Sequence, residues 1–156
     1  MTGLRLLTAT VLAACTSALC TPGSVSAQPS AGGSGCPVLW VLGVQGTGES
    51  SPGASETADT GMLGFLLGPV VAAVPDLVQR TYIPYPAAFG GAVGTGGGTA
   101  PYAASVGEGL AALEATAARV AADCPATALA VVGFSQGAQV VSEFARAVGA
   151  GEGPVP

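Results

Sequence analysis

Residues 133–137 read Gly-Phe-Ser-Gln-Gly, which is the G-x-S-x-G pattern of a nucleophile elbow. In an elbow the serine stands on a sharp strand-to-helix turn, and the residues two before and two after it come so close that both must be glycine. An apolar stretch precedes Ser135, an amphipathic stretch follows it, and no other serine of the chain has this pattern. The pattern therefore predicts that Ser135 is a nucleophile for acyl transfer.

Two backbone regions are suited to stabilise the oxyanion that such a reaction forms. The backbone N–H of Gln136 lies at the start of a predicted helix and would point towards the developing charge. A second donor is expected from a loop after an earlier strand, and residues 44–50 (Val-Gln-Gly-Thr-Gly-Glu-Ser) occupy that place. The glycines of this loop would also suit a phosphate site, but the chain has no lysine and the loop has no complete G-x-G-x-x-G motif.

The base that a catalytic serine normally uses is missing from the sequence. The chain contains no histidine, and the only acidic residues after Ser135 are Glu143 and Glu152. Loss of the base costs on the order of 10⁶ in kcat, whereas the oxyanion hole and substrate binding alone leave ~10³–10⁴ over water. We therefore expect the chain as written to be close to inactive.

The composition excludes several other classes of function. The net charge is −5 and all four cationic residues are arginines, so the chain is a poor partner for nucleic acid or an anionic membrane. Without lysine it has no Walker A loop, Schiff base or Ser-Lys dyad, and without histidine it lacks the commonest zinc ligand. We expect no cofactor and no metal.

The N-terminus reads as a secretory signal over residues 1–27. Arg5 precedes an apolar run that ends at Cys20, too short to span a bilayer comfortably, and Val-Ser-Ala at 25–27 suits signal cleavage. Residues 28–35 then form a flexible lead-in. We expect a secreted protein with no stable membrane span; the alternative is a lipid anchor on Cys15, which ends a Leu-Ala-Ala-Cys box.

Two cysteines, Cys36 and Cys124, follow the predicted signal. In an oxidising compartment they favour a single disulfide, and the alternative is two buried thiols.

The hydrophobic patterns alternate between strands and helices. Strands are predicted at 38–44, 80–85 and 128–133, and helices at 62–74, 102–123 and 136–148, with Gly149 as the residue that ends the last helix. This β-α-β-α-β-α order predicts a parallel sheet with helices on both faces. The next strand would begin about where the sequence ends, so we expect residues 36–156 to form the first part of a domain.

With these features the sequence resembles the cutinase family, a branch of the α/β-hydrolases, in its secreted actinobacterial form. The family places a cysteine before the first strand, a loop close to A-R-G-[ST]-x-E after it, a second cysteine before the elbow strand, and G-[YF]-S-Q-G at the elbow. Here Cys36 lies 11 residues before Thr47, and Cys124 lies 11 residues before Ser135, as in the family. The resemblance extends from about residue 36 to residue 148.

The resemblance implies a fold and a set of roles. The fold is an α/β class, three-layer α/β/α sandwich with a parallel sheet, here incomplete at the C-terminus. Ser135 is the nucleophile, Gln136 supplies a backbone oxyanion donor, and Thr47 supplies the other through its backbone and hydroxyl. Cys36 and Cys124 form the family's first disulfide.

The implied activity is that of a serine esterase, a carboxylic ester hydrolase that forms an acyl-enzyme on Ser135. The substrates would be short- to medium-chain esters, including polyester or lipid, and we expect a monomer. The sequence departs from the family at Gln45, where arginine is usual, and it lacks the Asp and His that follow the serine in family members. The alternative is a secreted, non-catalytic domain that binds lipid or a partner surface.

Overall fold

A computed structural model describes residues 35–153, apart from residues 93 and 95. The predicted signal 1–27, Cys15 and almost all of the lead-in 28–35 lie outside the described residues. The elements alternate as predicted, in the order β1 (Leu39–Val44), α1 (Gly61–Ala73), β2 (Val78–Tyr82), α2 (Tyr102–Asp123), β3 (Ala128–Gly133) and α3 (Gln136–Gly149).

The three strands form one parallel sheet in the order β2-β1-β3. In its register Leu42 of the central strand lies opposite Thr81 on one side and Val131 on the other. The last four residues of β1 are buried, which explains why this strand reads as a continuous apolar run.

Successive side chains of β1 point to opposite faces of the sheet, and each face meets a different layer of helices. On one face Val41 packs with Leu63 and Leu67 of α1. On the other face Leu42 lies in a larger cluster that contains Leu113 of α2, together with residues of α3. The predicted three-layer α/β/α arrangement with a parallel sheet is confirmed.

The outer side of α1 is an apolar surface. The helix contains no charged residue, and it is hydrophobic around its whole circumference. Phe65 is 82% exposed and Leu66 is 55% exposed, so much of the apolar surface of α1 faces solvent.

Both predicted ends of β2 and the predicted end of α3 were wrong, and the predicted start of β1 and both ends of α1 differ by one residue. β2 begins at Val78, which lies opposite Leu39. Its pairing ends earlier than predicted because the carbonyl of Ile83 and the N–H of Tyr85 bond to the Ser50 hydroxyl instead of β1. At the end of α3 the left-handed residue is Gly151 (φ 74°) rather than Gly149, which is still helical. The N–H groups of Gly151 and Glu152 donate back to the carbonyls of the last helical turn, as in a Schellman motif.

Cys36 and Cys124 form a disulfide, as predicted, with Cα atoms 5.7 Å apart. The bond lies before the starts of β1 and β3, at the end of the sheet opposite to Ser135. Within the described ranges, no helix has both the length and the hydropathy needed to cross a bilayer.

Candidate active site

The loops after β1 and β3 meet at the carboxyl edge of the sheet, because the two strands are adjacent and parallel. The pairing runs to Val44 opposite Gly133, and the N–H of Phe134 then donates to the carbonyl of Val44 at 3.0 Å. The loop that contains Thr47 and the turn that contains Ser135 therefore begin side by side.

Ser135 occupies a strained backbone conformation on this edge. Its φ is 52° and its ψ is −116°, and among the described residues only Ala87 shares a positive φ without being glycine. Such a conformation costs of order 1–3 kcal/mol and persists only where the surroundings hold it. The turn presents Ser135 to solvent between β3 and α3, which is the geometry of a nucleophile elbow.

The two glycines of the motif are required by close backbone contacts. A Cβ atom on Gly133 would lie 2.3 Å from the carbonyl oxygen of Gly137, and a Cβ atom on Gly137 would lie 2.0 Å from that of Val44. Both distances are far below van der Waals contact, so the turn forms only with glycine at both positions.

Among the described residues, the backbone N–H groups of Gln136 and Thr47 have no acceptor. At the start of α3, Gly137 donates to Phe134 and Ala138 donates to Ser135, but no described residue accepts from the N–H of Gln136. In the loop after β1 the same is true of Thr47 among the residues described. These are the two backbone donors that the sequence assigned to the oxyanion hole, and both remain available for a ligand.

The side chain of Gln136 brings its own helix and the Thr47 loop together. It is 1% exposed, and its Nε2 donates to the carbonyl of Ala88 at 2.9 Å. The amide orientation leaves Oε1 facing the Thr47 hydroxyl and the Tyr85 hydroxyl, each at 3.5 Å. The structure thus places the side chains of Thr47 and Gln136 in contact.

Gln45 and Glu49 fix the loop against the start of α1. The Gln45 side chain is 2% exposed, accepts from the N–H of Leu63 at 3.2 Å and donates to the carbonyl of Thr60. The Glu49 carboxylate accepts from the N–H groups of Gly46 and Met62, both at 3.1 Å. Its charge at a helix N-terminus is favourable. At Gln45, where the family has arginine, a neutral amide therefore caps the helix.

A charged cluster holds the far end of the same loop. The Arg80 guanidinium binds both oxygens of the Asp59 carboxylate, and the Tyr82 hydroxyl donates to that carboxylate at 2.6 Å. The hydrogen bond from Arg80 lowers the pKa of Asp59 below its ordinary value. Burial, with the neighbouring Asp59, raises the pKa of Tyr82 to about 12. The cluster ties the loop between β1 and α1 to β2.

Within the part of the chain that the structure describes, no side chain that could act as a base bonds to the Ser135 hydroxyl. It has no hydrogen-bond partner among the described residues. The acid nearest to it along the following helix, Glu143, is paired with Arg146 at 3.4 Å. Among the described residues, the candidate site therefore has a serine on a strained turn and two backbone N–H groups without an acceptor.

Tyr85 and the segment after it were not among the site residues predicted from the sequence. Tyr85 is 1% exposed, and its hydroxyl donates to the carbonyl of Gln45 at 2.5 Å. Ala87 has a φ of 47°, and its carbonyl accepts from the N–H of Gly48 at 2.8 Å. The signal that was available is Tyr85 itself, because a tyrosine in an otherwise apolar buried stretch needs a partner for its hydroxyl.

Comparisons with known proteins agree with this geometry. The family model for cutinase matches residues 36–151. Acetylxylan esterase 2 of Talaromyces purpureogenus is 34% identical over 108 residues, which are 68% of this chain and 41% of that protein.

Solved structures give the same relationship. An acetylxylan esterase determined at 0.90 Å resolution superposes with a TM-score of 0.55 at 30% identity, over 70% of this chain and 47% of that one. The catalytic core domain of acetyl xylan esterase from Trichoderma reesei gives 0.54 at 33% identity, over 70% and 48%.

The chain spans less than half the length of these relatives. The family match nevertheless takes in both disulfide cysteines, the Thr47 loop and the complete elbow. On that match, which covers most of its length, the chain belongs to the cutinase family.

Proposed function

We propose that this protein is a carboxylic ester hydrolase that forms an acyl-enzyme on Ser135. The observation that carries the proposal is the pair of unpaired N–H groups, on Thr47 and Gln136, in the two loops that meet at the elbow serine. A folded chain rarely leaves buried or half-buried N–H groups without an acceptor unless water or a ligand occupies them.

The reaction follows from the positions of these groups. The Ser135 oxygen attacks the ester carbonyl carbon, and the N–H groups of Gln136 and Thr47 stabilise the oxyanion. The bond to the alcohol oxygen then breaks, and the alcohol leaves with the proton that the serine gave up. Water attacks the acyl-enzyme, releases the acid and restores the serine hydroxyl.

Histidine, the usual base for this proton, does not occur among the 156 residues. Loss of such a base costs on the order of 10⁶ in kcat. We therefore propose that this chain alone turns over esters slowly, through the oxyanion donors and the strained serine.

The lack of histidine is also the observation that favours a second candidate, a secreted binding domain without catalysis. The strain at Ser135 argues for the first candidate, since a surface that only binds has no need of a serine at a φ of 52°.

The relatives named above are acetylxylan esterases, and short acyl esters are therefore the first substrates to test. A secreted location fits the Cys36–Cys124 disulfide, because disulfides persist in oxidising compartments.

The test is hydrolysis of p-nitrophenyl acetate and butyrate by the chain, with and without added imidazole as an external base. We expect slow turnover that imidazole accelerates and that Ser135→Ala removes. Ser142→Ala is the matched control, because Ser142 lies exposed on α3 with its hydroxyl bonded to the carbonyl of Ala138. Rates are taken above those of buffer and imidazole without protein, since imidazole alone cleaves these esters. Protein-dependent turnover that is equal in Ser135→Ala, or protein-dependent imidazole acceleration that survives it, would contradict the proposal.

A further inference from the structure

We propose that Tyr85 is a positioning residue that holds the two backbone donors of the oxyanion hole in register. The inference rests on the proposed function, because it assigns Tyr85 a role in the site through Thr47 and Gln136 rather than through contact with substrate.

The Tyr85 hydroxyl lies where the two donor loops meet. It donates to the carbonyl of Gln45, two residues before Thr47, at 2.5 Å. The same hydroxyl lies 3.5 Å from Oε1 of Gln136. One buried side chain therefore touches the loop after β1 and the first residue of α3.

The peptide unit between Gln45 and Gly46 is held from both sides. Its carbonyl accepts from Tyr85, and its N–H, which belongs to Gly46, donates to Glu49 at 3.1 Å. The next N–H in the chain is that of Thr47. That N–H belongs to the planar peptide unit between Gly46 and Thr47, whose carbonyl accepts from the N–H of Glu49 at 3.0 Å, so the peptide units on both sides of Gly46 are held and the direction of the Thr47 N–H is restricted.

The elbow packs against the same peptide unit, the one between Gln45 and Gly46. A Cβ atom on Gly137 would lie 2.6 Å from the carbonyl oxygen of Gln45, the atom that Tyr85 binds. A rotation of this carbonyl would therefore move the loop and disturb the elbow together.

A second set of hydrogen bonds holds the side chain of Gln136 at the start of α3. Gln136 Nε2 donates to the carbonyl of Ala88, whose own N–H donates to the hydroxyl of Ser105 at 3.0 Å. With its amide fixed in this way, Gln136 presents Oε1 to Thr47 and Tyr85. Burial raises the pKa of Tyr85 well above its ordinary value of 10.0, so the phenol remains a neutral donor.

The decisive variant is Tyr85→Phe, which removes only the hydroxyl and keeps the ring that packs against Gly109. Tyr102→Phe is the matched control, because it removes a hydroxyl that donates to the side chain of Gln139 at 2.8 Å rather than to Gln45 or Gln136. Each variant and the unmodified full chain are labelled with ¹⁵N, and the amide signals of Thr47 and Gln136 are followed. Butylboronic acid, which adds to a serine oxygen as a tetrahedral anion while the serine proton passes to the buffer, is then titrated.

We expect Tyr85→Phe to shift or broaden the amide signals of Gly46, Thr47 and Gln136 and to weaken boronate binding about tenfold. Tyr102→Phe should leave both readouts unchanged. A merely structural role for Tyr85 would lower the unfolding temperature without selecting these amides.

Unchanged amide signals in Tyr85→Phe would overturn the inference. If the unmodified chain binds the boronate, an unchanged boronate affinity in Tyr85→Phe would overturn it as well. If the unmodified chain forms no boronate adduct on Ser135, the proposed function fails. The amide signals then decide the role of Tyr85 by themselves.

Discussion

A Cβ atom on Gly137 would lie 2.0 Å from the carbonyl oxygen of Val44. Gly137 belongs to the start of α3 and Val44 to the end of β1, so this contact joins the elbow to the strand that leads into the Thr47 loop. The missing side chain thus sets how closely the turn that contains Ser135 approaches the loop that contains Thr47.

Gly137→Ala should therefore destabilise the fold by at least ~2–3 kcal/mol, because the backbone must move to admit the methyl group. Gly149→Ala is the control in the same helix, where nothing lies within 4 Å of an added Cβ atom. That change should stabilise by about 0.4–1 kcal/mol. The stability of both variants is measured by urea unfolding, monitored by the fluorescence of Trp40. Equal urea midpoints for Gly137→Ala and the parent would show that the contact is not tight.

Removal of the Cys36–Cys124 disulfide should lower stability by up to ~4–5 kcal/mol by loss of chain constraint, since the bond closes a separation of 88 residues. The double variant Cys36→Ser/Cys124→Ser is compared with the parent in urea, with and without dithiothreitol. The reductant should lower the midpoint of the parent and leave the double variant unchanged. A parent that unfolds at the same urea concentration in both conditions would refute the prediction.

Stability should fall in acid partly through Asp59. Its folded-state pKa is lowered from 3.8, chiefly by the hydrogen bond from Arg80. The stability that the Asp59–Arg80 pair adds is therefore fully present above about pH 3.8. It is lost as the pH falls through the lower folded-state pKa of Asp59. Both side chains are partly exposed, so we expect less than ~1 kcal/mol.

The measurement is the unfolding temperature between neutral and strongly acidic pH. Asp59→Asn should lose less stability over this range than the parent, whereas Asp76→Asn, on an exposed residue, should follow the parent. Parallel curves for Asp59→Asn and the parent would show that the ion pair contributes nothing.

The outer side of α1 should bind the apolar dye ANS. Phe65→Ser removes its most exposed aromatic ring, and we expect dye fluorescence to fall by roughly half. Ala115→Ser, an exposed position on α2, should not change it. Undiminished fluorescence in Phe65→Ser would place the dye elsewhere.

The sequence was most informative where local pattern decides the structure. α2 and β3 have the predicted bounds, because apolar spacing and flanking prolines mark their ends. The elbow was recognisable because its glycines are required within five residues. The two cysteines after the predicted signal were enough to favour the disulfide, and the family resemblance then singled out Thr47.

The contacts that hold the site together were not predictable from local pattern. Tyr85 contacts Gln45, which is 40 residues away in the sequence, and Gln136, which is 51 residues away. Contacts at such separations leave no periodic pattern in the sequence. The end of β2 was misplaced because burial of Ile83 and Tyr85 continues past the sheet, and an apolar run does not show where pairing stops. In the sequence, Gln45 was notable only because it departs from the arginine that is usual in the family. Its role in capping α1 is visible only in the folded structure.

The central claim is that Ser135 is the nucleophile of an acyl-transfer site, and labelling with a fluorophosphonate followed by peptide mapping tests it most directly. We predict a single phosphonylated residue, Ser135, at a rate that added imidazole raises and that Thr47→Val or unfolding in urea lowers. An unlabelled Ser135, or label spread equally over Ser135 and the exposed Ser142, would contradict the account.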